Sequence, residues 1–293
     1  MRPLIFGEVL FDQFPDGSVV LGGAPFNVAW HLHAFGLRPL MVSRVGADDL
    51  GQRVMRAMTE WGMDTAGMQT DPEHPTGTVE IEFDGGEPRY DIVHPAAYDF
   101  IDAEGLPQLD GETWLFYHGS LAARQDVSAA TLAHLRARAA TRFVDINLRA
   151  PWWDRDALDG LLSGADWVKL NADELEVLFP GEDGEAARLA RLAATTTDRI
   201  ILTRGADGAA AISAASGNRV EMRPERSAAV VDTVGAGDAF CSVMLAGRIL
   251  NWPLDTSLRR AQDFASAVVG IRGALSRDTG FYADFLRAWN VGG

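Results

Sequence analysis

Two short stretches carry residue types and spacings that could do chemistry. The first is Asp232-Thr233-Val234-Gly235-Ala236-Gly237-Asp238-Ala239-Phe240, in which small residues and a carboxylate stand at the start of a helical pattern. The first turn of a helix has amides without intrahelical partners and the positive end of the macrodipole, so it attracts an anion. Gly235 and Gly237 allow close approach to the backbone. A phosphate resting on those amides while Asp238 handles a proton is one reading, and an N-cap following a glycine turn is the other. The second stretch, Gly22-Gly23-Ala24-Pro25-Phe26-Asn27-Val28-Ala29, again places two glycines ahead of a helix. Pro25 suits the first helical position, and the Asn27 amide offers both a donor and an acceptor, as a polyhydroxylated ligand requires.

Positioning these groups takes a rigid frame, and the rest of the chain supplies its cadence. Phe240, Val243, Met244, Ala246 and Ile249 recur at helical spacing, which puts Asp238 at or just inside a helix start. Strand-like runs at Leu4–Phe6, Leu40–Ser43, Trp114–Tyr117, Phe143–Ile146, Trp167–Leu170 and Ile200–Thr203 are each followed by a helix or turn. The patterning predicts helices over Pro25–Phe35, Leu50–Trp61, Ser128–Ala140, Ala172–Leu178, Glu185–Ala194, Ala239–Leu250 and Leu258–Ile271. Such alternation gives a largely parallel sheet covered on both faces. One segment departs from it: Val79, Ile81 and Phe83 alternate with Thr78, Glu80 and Glu82, and Asp84-Gly85-Gly86 turns the chain into Arg89–Val93. This reads as a hairpin, and with Ser18–Leu21 it could form a small antiparallel sheet used as a lid, as a dimer surface or as plain edge decoration.

Composition narrows the function classes. The 293 residues suffice for a large core, and 47% hydrophobic with 23% charged residues describes an ordinary globule. A net charge of −15 argues against a nucleic-acid footprint, which needs a basic face. Cys241 is the only cysteine, so no internal disulfide or thiolate-rich zinc site can form. The apolar run at the N-terminus is too short for a signal-peptide core, and no apolar run approaches the roughly 18 residues of a membrane span. A cytoplasmic setting with no membrane or nucleic-acid partner is therefore expected. No repeat or linker divides the chain.

Taken together, Gly22–Ala29 and Asp232–Phe240 closely resemble the two signatures of the PfkB, or ribokinase-like, carbohydrate kinase family. The resemblance extends over essentially the whole chain. Arg44-Val45-Gly46-Ala47-Asp48-Asp49-Leu50-Gly51 looks like the family's turn after its second strand, Asn171-Ala172-Asp173-Glu174 matches its N-x-x-E motif, and Thr203-Arg204-Gly205 matches its T-x-G. By themselves Asn171 and Glu174 read equally as a helix cap and a first-turn acid. The resemblance implies a three-layer α/β/α fold with a largely parallel central sheet, one kinase domain over residues 1–293, and a small β-sheet lid from about residues 12–21 and 76–98. It also implies an ATP-dependent sugar kinase. No Walker A string and no H-R-D loop occurs in the sequence, which weakens P-loop and protein-kinase readings.

The family's roles carry over residue by residue. Asp238 would take the proton of the attacking hydroxyl, with Gly235, Ala236 and Gly237 as the anion hole for the transferring phosphoryl group. Asn171 and Glu174 would organise Mg²⁺ through water, Thr203 and Gly205 would lie at the nucleotide, and Ser266 would by position line the adenine pocket. Asp232 and the Val234 carbonyl are the candidates for a monovalent cation such as K⁺. Asp12, Gly22, Gly23 and Asn27 match positions that contact sugar hydroxyls. Arg149, in Asp145-Ile146-Asn147-Leu148-Arg149-Ala150-Pro151-Trp152-Trp153, resembles the D-x-N-x-R…W segment of fructokinase-like and 2-keto-3-deoxygluconate kinase-like members, where it could orient a phosphate or carboxylate. Those members carry a Tyr/Phe-Arg pair in the lid, whereas here Asp91 follows Tyr90, with His94 close behind as a candidate sugar contact or a bystander. A neutral ketohexose such as fructose is the expected substrate. 2-Keto-3-deoxygluconate, ribose, tagatose phosphate, a nucleoside and a non-catalytic sensor stay open as alternatives, and a homodimer through the lid is common in the family.

Overall fold

The structure is a computed structural model that describes residues 1–84, 87–224 and 230–291. Its strands are β1 Arg2–Phe6, β2 Leu10–Gln13, β3 Val19–Gly22, β4 Leu40–Gly46, β5 Met68–Asp71, β6 Gly77–Asp84, β7 Glu87–Ile92, β8 Trp114–His118, β9 Thr141–Asp145, β10 Ala165–Asn171, β11 Thr196–Thr203, β12 Ala209–Ser213 and β13 Arg219–Met222. The helices are α1 Ala24–Ala34, α2 Asp49–Trp61, α3 Asp126–Arg136, α4 Arg155–Leu162, α5 Ala172–Leu178, α6 Glu185–Ala193, α7 Ala236–Ile249, α8 Leu254–Val269 and α9 Thr279–Trp289.

The main sheet runs β13-β12-β11-β10-β9-β8-β1-β4-β5 and is parallel from β11 to β5, with β12 and β13 antiparallel at one edge. Alternation along the strands feeds two apolar layers. Ile5, Met41, Leu115, Phe143 and Ile201 pack under α1, α7 and α8 with Trp30, Met244 and Phe264. Leu4, Phe6, Val42 and Phe116 face the opposite way with Leu132 and Leu135 of α3, and Val168, Leu170, Ile200 and Leu202 meet Leu158, Leu175 and Leu192 of α4, α5 and α6. This is the expected three-layer architecture. Strand order reverses between β1 and β8, the position at which open α/β sheets place ligands beyond the carboxyl ends of their strands. Among the described residues no helix is long and apolar enough to cross a membrane.

A second sheet, β3-β2-β6-β7, projects from that carboxyl end. The expected hairpin is present as β6 and β7, although Gly85 and Gly86 of its turn lie outside the described residues. The sheet is mixed and not antiparallel as anticipated, because β2 and β6 pair in parallel. Those two strands leave different parts of the main sheet and are free of the antiparallel geometry a short hairpin would impose. Two contacts anchor the sheet. Asp48 caps α2 by accepting from Gly51 N at 2.7 Å and also accepts from Thr76 N at 2.8 Å and Thr76 Oγ1 at 2.7 Å, just ahead of β6. Beyond β7, the Arg124 side chain is 3% exposed and pairs at 2.7 Å with Asp99, whose side chain is 0% exposed, while its guanidinium lies over the rings of Tyr98 and Trp152.

Helix positions follow the patterning closely except where caps and short lengths intervene. The helix anticipated over Ser128–Ala140 starts at Asp126 and stops at Arg136, α7 starts earlier at Ala236, and α4 and α9 were not anticipated. Because Asp99 is fully buried, Arg124→Met should destabilise the fold by about 3–5 kcal/mol, the cost of leaving a buried charge unpaired. Urea unfolding measures this, and a loss under about 1 kcal/mol would show that the pair is dispensable.

Candidate active site

At the start of α7, Gly235 adopts a left-handed φ of 78° as the N-cap, and a Cβ there would meet the Ala274 Cβ at 2.3 Å. Only glycine fits both demands. Ala236, Gly237 and Asp238 therefore form the exposed-amide turn, with the Asp238 carboxylate half-buried beside it. Asn27 Nδ2, from the first turns of α1, donates to Asp238 Oδ2 at 2.7 Å. Burial lifts the Asp238 pKa to about 6 against the pull of the Asn27 hydrogen bond, with Asp145 raising it and Lys169 and Arg149 lowering it. A carboxyl group so tuned can accept a proton near neutral pH.

The polar groups of β2, β3 and α1 gather around this carboxylate. A Cβ built at Gly22 would lie 3.8 Å from Asn27 Oδ1 and 3.9 Å from Asp12 Oδ2, so the absent side chain leaves a gap between an amide oxygen and a carboxylate. Asn27 Oδ1 is buried without a protein partner. Gly23, at φ 109°, lets the chain pass within 2.7 Å of Glu8 O, measured from where its Cβ would be. Burial raises Asp12 to a pKa of about 6, with Arg149 opposing and Asp232 adding to the shift. Arg149 is exposed, its Nη1 donates to Leu148 O at 3.2 Å, and no carboxylate among the described residues lies within ion-pair distance of it. Its charge instead acts on Glu8, Asp12 and Asp238. His94 packs on Trp152 with ring centroids 4.8 Å apart and meets Gln125 Nε2 at 2.7 Å, while Tyr90 is 57% exposed on β7.

On the other side of Asp238 a cavity of about 570 Å³ opens, lined by Thr203, Gly205, Ala236, Gly237, Phe240 and Ser266 among others. Residues expected to contact a nucleotide thus share one cavity with two residues expected to form an anion hole. Asn171 and Glu174 form a reciprocal capping box at the start of α5, Asn171 Oδ1 accepting from Glu174 N at 2.7 Å and Glu174 Oε2 from Asn171 N at 2.8 Å. Glu174 Oε1 also accepts from Leu148 N at 2.9 Å, tying α5 to the Arg149 loop. Asp232 accepts from Val234 N and Gly273 N, each at 3.0 Å, which fixes the loop ahead of α7. No cluster of three or more His, Cys, Asp or Glu side chains among the described residues is arranged to hold a metal.

Two buried charged residues near Asp238, Glu8 and Lys169, escaped the sequence reading, and Asp145 was named there only as the first residue of the D-x-N-x-R…W segment. Glu8, at the end of β1, is 4% exposed with Oε2 unpaired, and burial raises its pKa to about 7. Asp145, at the end of β9, accepts from Lys169 Nζ at 3.0 Å, Tyr117 OH at 3.2 Å and Cys241 Sγ at 3.3 Å. Lys169 of β10 completes that pair. A carboxylate directly after a buried strand, as in Phe6-Gly7-Glu8, and a charged residue inside the Trp167–Leu170 strand run were the available signals.

Comparison with known proteins identifies the family and the fold. The pfkB family carbohydrate kinase profile matches residues 6–279. A fructokinase of Klebsiella pneumoniae is 32% identical over 277 residues, covering 90% of this chain and 89% of that protein. The crystal structure of aminoimidazole riboside kinase from Salmonella enterica, complexed with aminoimidazole riboside and an ATP analog, superposes with a TM-score of 0.84 at 24% identity, covering 98% of this chain and all of that one. Fructokinase from Vibrio cholerae O395, in its fructose, ADP and calcium ion bound form, gives 0.81 at 23% identity, with 96% and 98% coverage. With the profile spanning residues 6–279 and a fructokinase 32% identical over nine-tenths of its length, this chain belongs to the pfkB family of carbohydrate kinases.

Proposed function

We propose that this carbohydrate kinase transfers the terminal phosphoryl group of ATP to a hydroxyl of fructose. The observation that carries the reading is the position of Asp238, held by Asn27 between the cavity of Thr203, Gly205 and Ser266 and the polar gap of Asp12 and Gly22. Asp238 accepts the proton of the attacking hydroxyl. The oxygen forms its bond to the terminal phosphorus as the bond to the bridging oxygen breaks, and the amides of Gly235, Ala236 and Gly237 receive the charge building on the phosphoryl oxygens. Asp12, Gly22, Gly23 and Asn27 orient the sugar, and Arg149 adds the positive charge that faces these acids.

Asn171 and Glu174 fit a hydrated Mg²⁺. Both Glu174 oxygens already take backbone amides, which leaves their remaining lone pairs for water and not for direct ligation. When bound, that ion would offset negative charge on the triphosphate. Asp232 and the Val234 carbonyl supply the oxygen donors an alkali cation such as K⁺ would use. The chain would work as one domain over residues 1–293 in a cytoplasmic setting. The second sheet, around residues 12–21 and 76–98, would be its lid and the surface through which two copies pair.

A neutral ketohexose suits the site better than a sugar acid. Glu8, Asp12 and Asp238 put three carboxyl groups at this site, and Asp91 follows Tyr90 where an arginine would be expected beside a substrate carboxylate. The curated relatives named fructokinase support the same choice.

Asp238→Asn should lower kcat by about 10²–10⁴-fold, with ATP affinity by calorimetry within a few-fold of the parent. Near-normal turnover would refute the general-base role. Since the raised pKa of Asp238 is about 6 and its ionised form is the active one, kcat/KM should fall as pH drops through 6. An acidic limb near pH 4 would mean that the base is a different, unperturbed carboxylate. In a sugar panel read by ADP release, fructose should exceed 2-keto-3-deoxygluconate in kcat/KM, and the reverse order would overturn the substrate assignment.

A further inference from the structure

The chain holds 26 lysine and arginine residues, and Lys169 is its only lysine. Every other permanent side-chain cation is arginine, so this position asks for something a guanidinium does not provide. Lys169 is 6% exposed and stands in β10 between Val168 and Leu170, whose side chains enter the apolar layer beneath α4, α5 and α6. Alternation sends Lys169 to the opposite face, under the start of α7. There its Nζ lies 3.0 Å from Asp145 Oδ1, and a Cβ built at Gly237 would stand 3.3 Å from it.

Gly237 is an ordinary helical residue, so its lack of a side chain is not needed for backbone freedom. What the missing Cβ provides is room for the ammonium to come up against the anion-hole turn, at a residue that also lines the nucleotide-side cavity. A compact ammonium fits such a gap, whereas the broad planar fork of arginine does not. An ammonium has three N–H donors, and Asp145 is its hydrogen-bond acceptor here. Burial works against the charge, but Asp145, Cys241 and Glu174 outweigh it and hold the Lys169 pKa above its ordinary value, so the group stays cationic.

We propose that Lys169 is a catalytic residue of the phosphoryl transfer, its ammonium held by Asp145 and reaching past Gly237 to the oxygens of the transferring group. This rests on the kinase reading above. Lys169 keeps its proton throughout, while the hydroxyl proton goes to Asp238 and the electron pair of the breaking P–O bond leaves with the nucleoside diphosphate. The competing role is that of a counter-ion which only neutralises Asp145.

Two variants and one spectrum separate these roles. Lys169→Met leaves Asp145 buried and unpaired and can fail by unfolding, so D145N/K169M, which removes both charges, is the decisive variant. Both should lose about 10²–10³-fold in kcat, as for removal of one oxyanion-stabilising donor, with ADP affinity unchanged. A double variant that turns over like the parent would make Lys169 a mere counter-ion and overturn the proposal. Because the chain has one lysine, protein labelled with ¹⁵N at the lysine ε-amino group gives a single side-chain ammonium resonance. That resonance should shift when ADP with aluminium fluoride and fructose occupies the site and hold its place with fructose alone. An unmoved resonance overturns contact with the phosphoryl group. A parent chain that releases no ADP with any sugar would instead sink the kinase reading itself.

Discussion

A catalytic carboxylate inside a protein must be held in one orientation and still be free to exchange a proton. For Asp238, the proposed base, the requirement falls on the 2.7 Å hydrogen bond from Asn27, a residue 211 positions away in the chain, which joins α1 to α7. It draws the first turns of α1 and α7 together, near Asp145 and Lys169 of β9 and β10. The helix end supplies amides for an anion, α1 supplies a neutral donor, and burial supplies the upward pressure on the proton affinity of Asp238. An aspartate at an exposed cap would keep the first of these and lose the last. The surrounding layers of Trp30, Met244 and Phe264 act by fixing the two helices against one face of the sheet.

Charge at the site is organised in depth. Asp12 and Asp238 are half-buried and within the field of Arg149, while Asp145 and Lys169 are nearly fully buried behind them. The hydroxyl of Tyr117 and the thiol of Cys241 complete the shell around Asp145, and burial first, then Asp145, keeps that thiol protonated. Only buried polar groups with partners can hold their geometry cheaply in such surroundings. The capping box of Asn171 and Glu174 shows the same layering, since its hydrogen bonds fix α5 and the Arg149 loop before any ligand arrives.

The fold was legible in the sequence because apolar period and glycine position are local properties. The alternating Thr78–Phe83 run is an actual strand paired with β7, and the Gly235-Ala236-Gly237-Asp238 turn starts an actual helix. The parallel pairing of β2 with β6 was not legible, since register between distant segments depends on contacts that no local pattern encodes. Likewise the short α4 relies on its Asp154 cap, and α9 on aromatic packing against Phe264. Within the site, motif residues could be named one by one, and Thr203, Gly205 and Ser266 do share a cavity. Glu8, Lys169 and the role of Asp145 were hidden for a different reason. Their importance lies in burial and mutual proximity, and a charged residue at a strand end gives no sign of either until the sheet is assembled.

The ends of the main sheet bear on self-association. Its outermost strands, β13 and β5, have four residues each. Arg219 and Glu221 of β13 pair with one another, and Arg219 also reaches Glu185 of α6, while Asp71 closes β5 by pairing with Arg44 at 2.8 Å. A brief border studded with charge offers a poor template for an incoming strand, which is how open sheets avoid growing by accretion. With a net charge of −15 on the chain, copies also repel one another in bulk solution. Ordered fibrillar growth along this sheet would have to strip those ion pairs first.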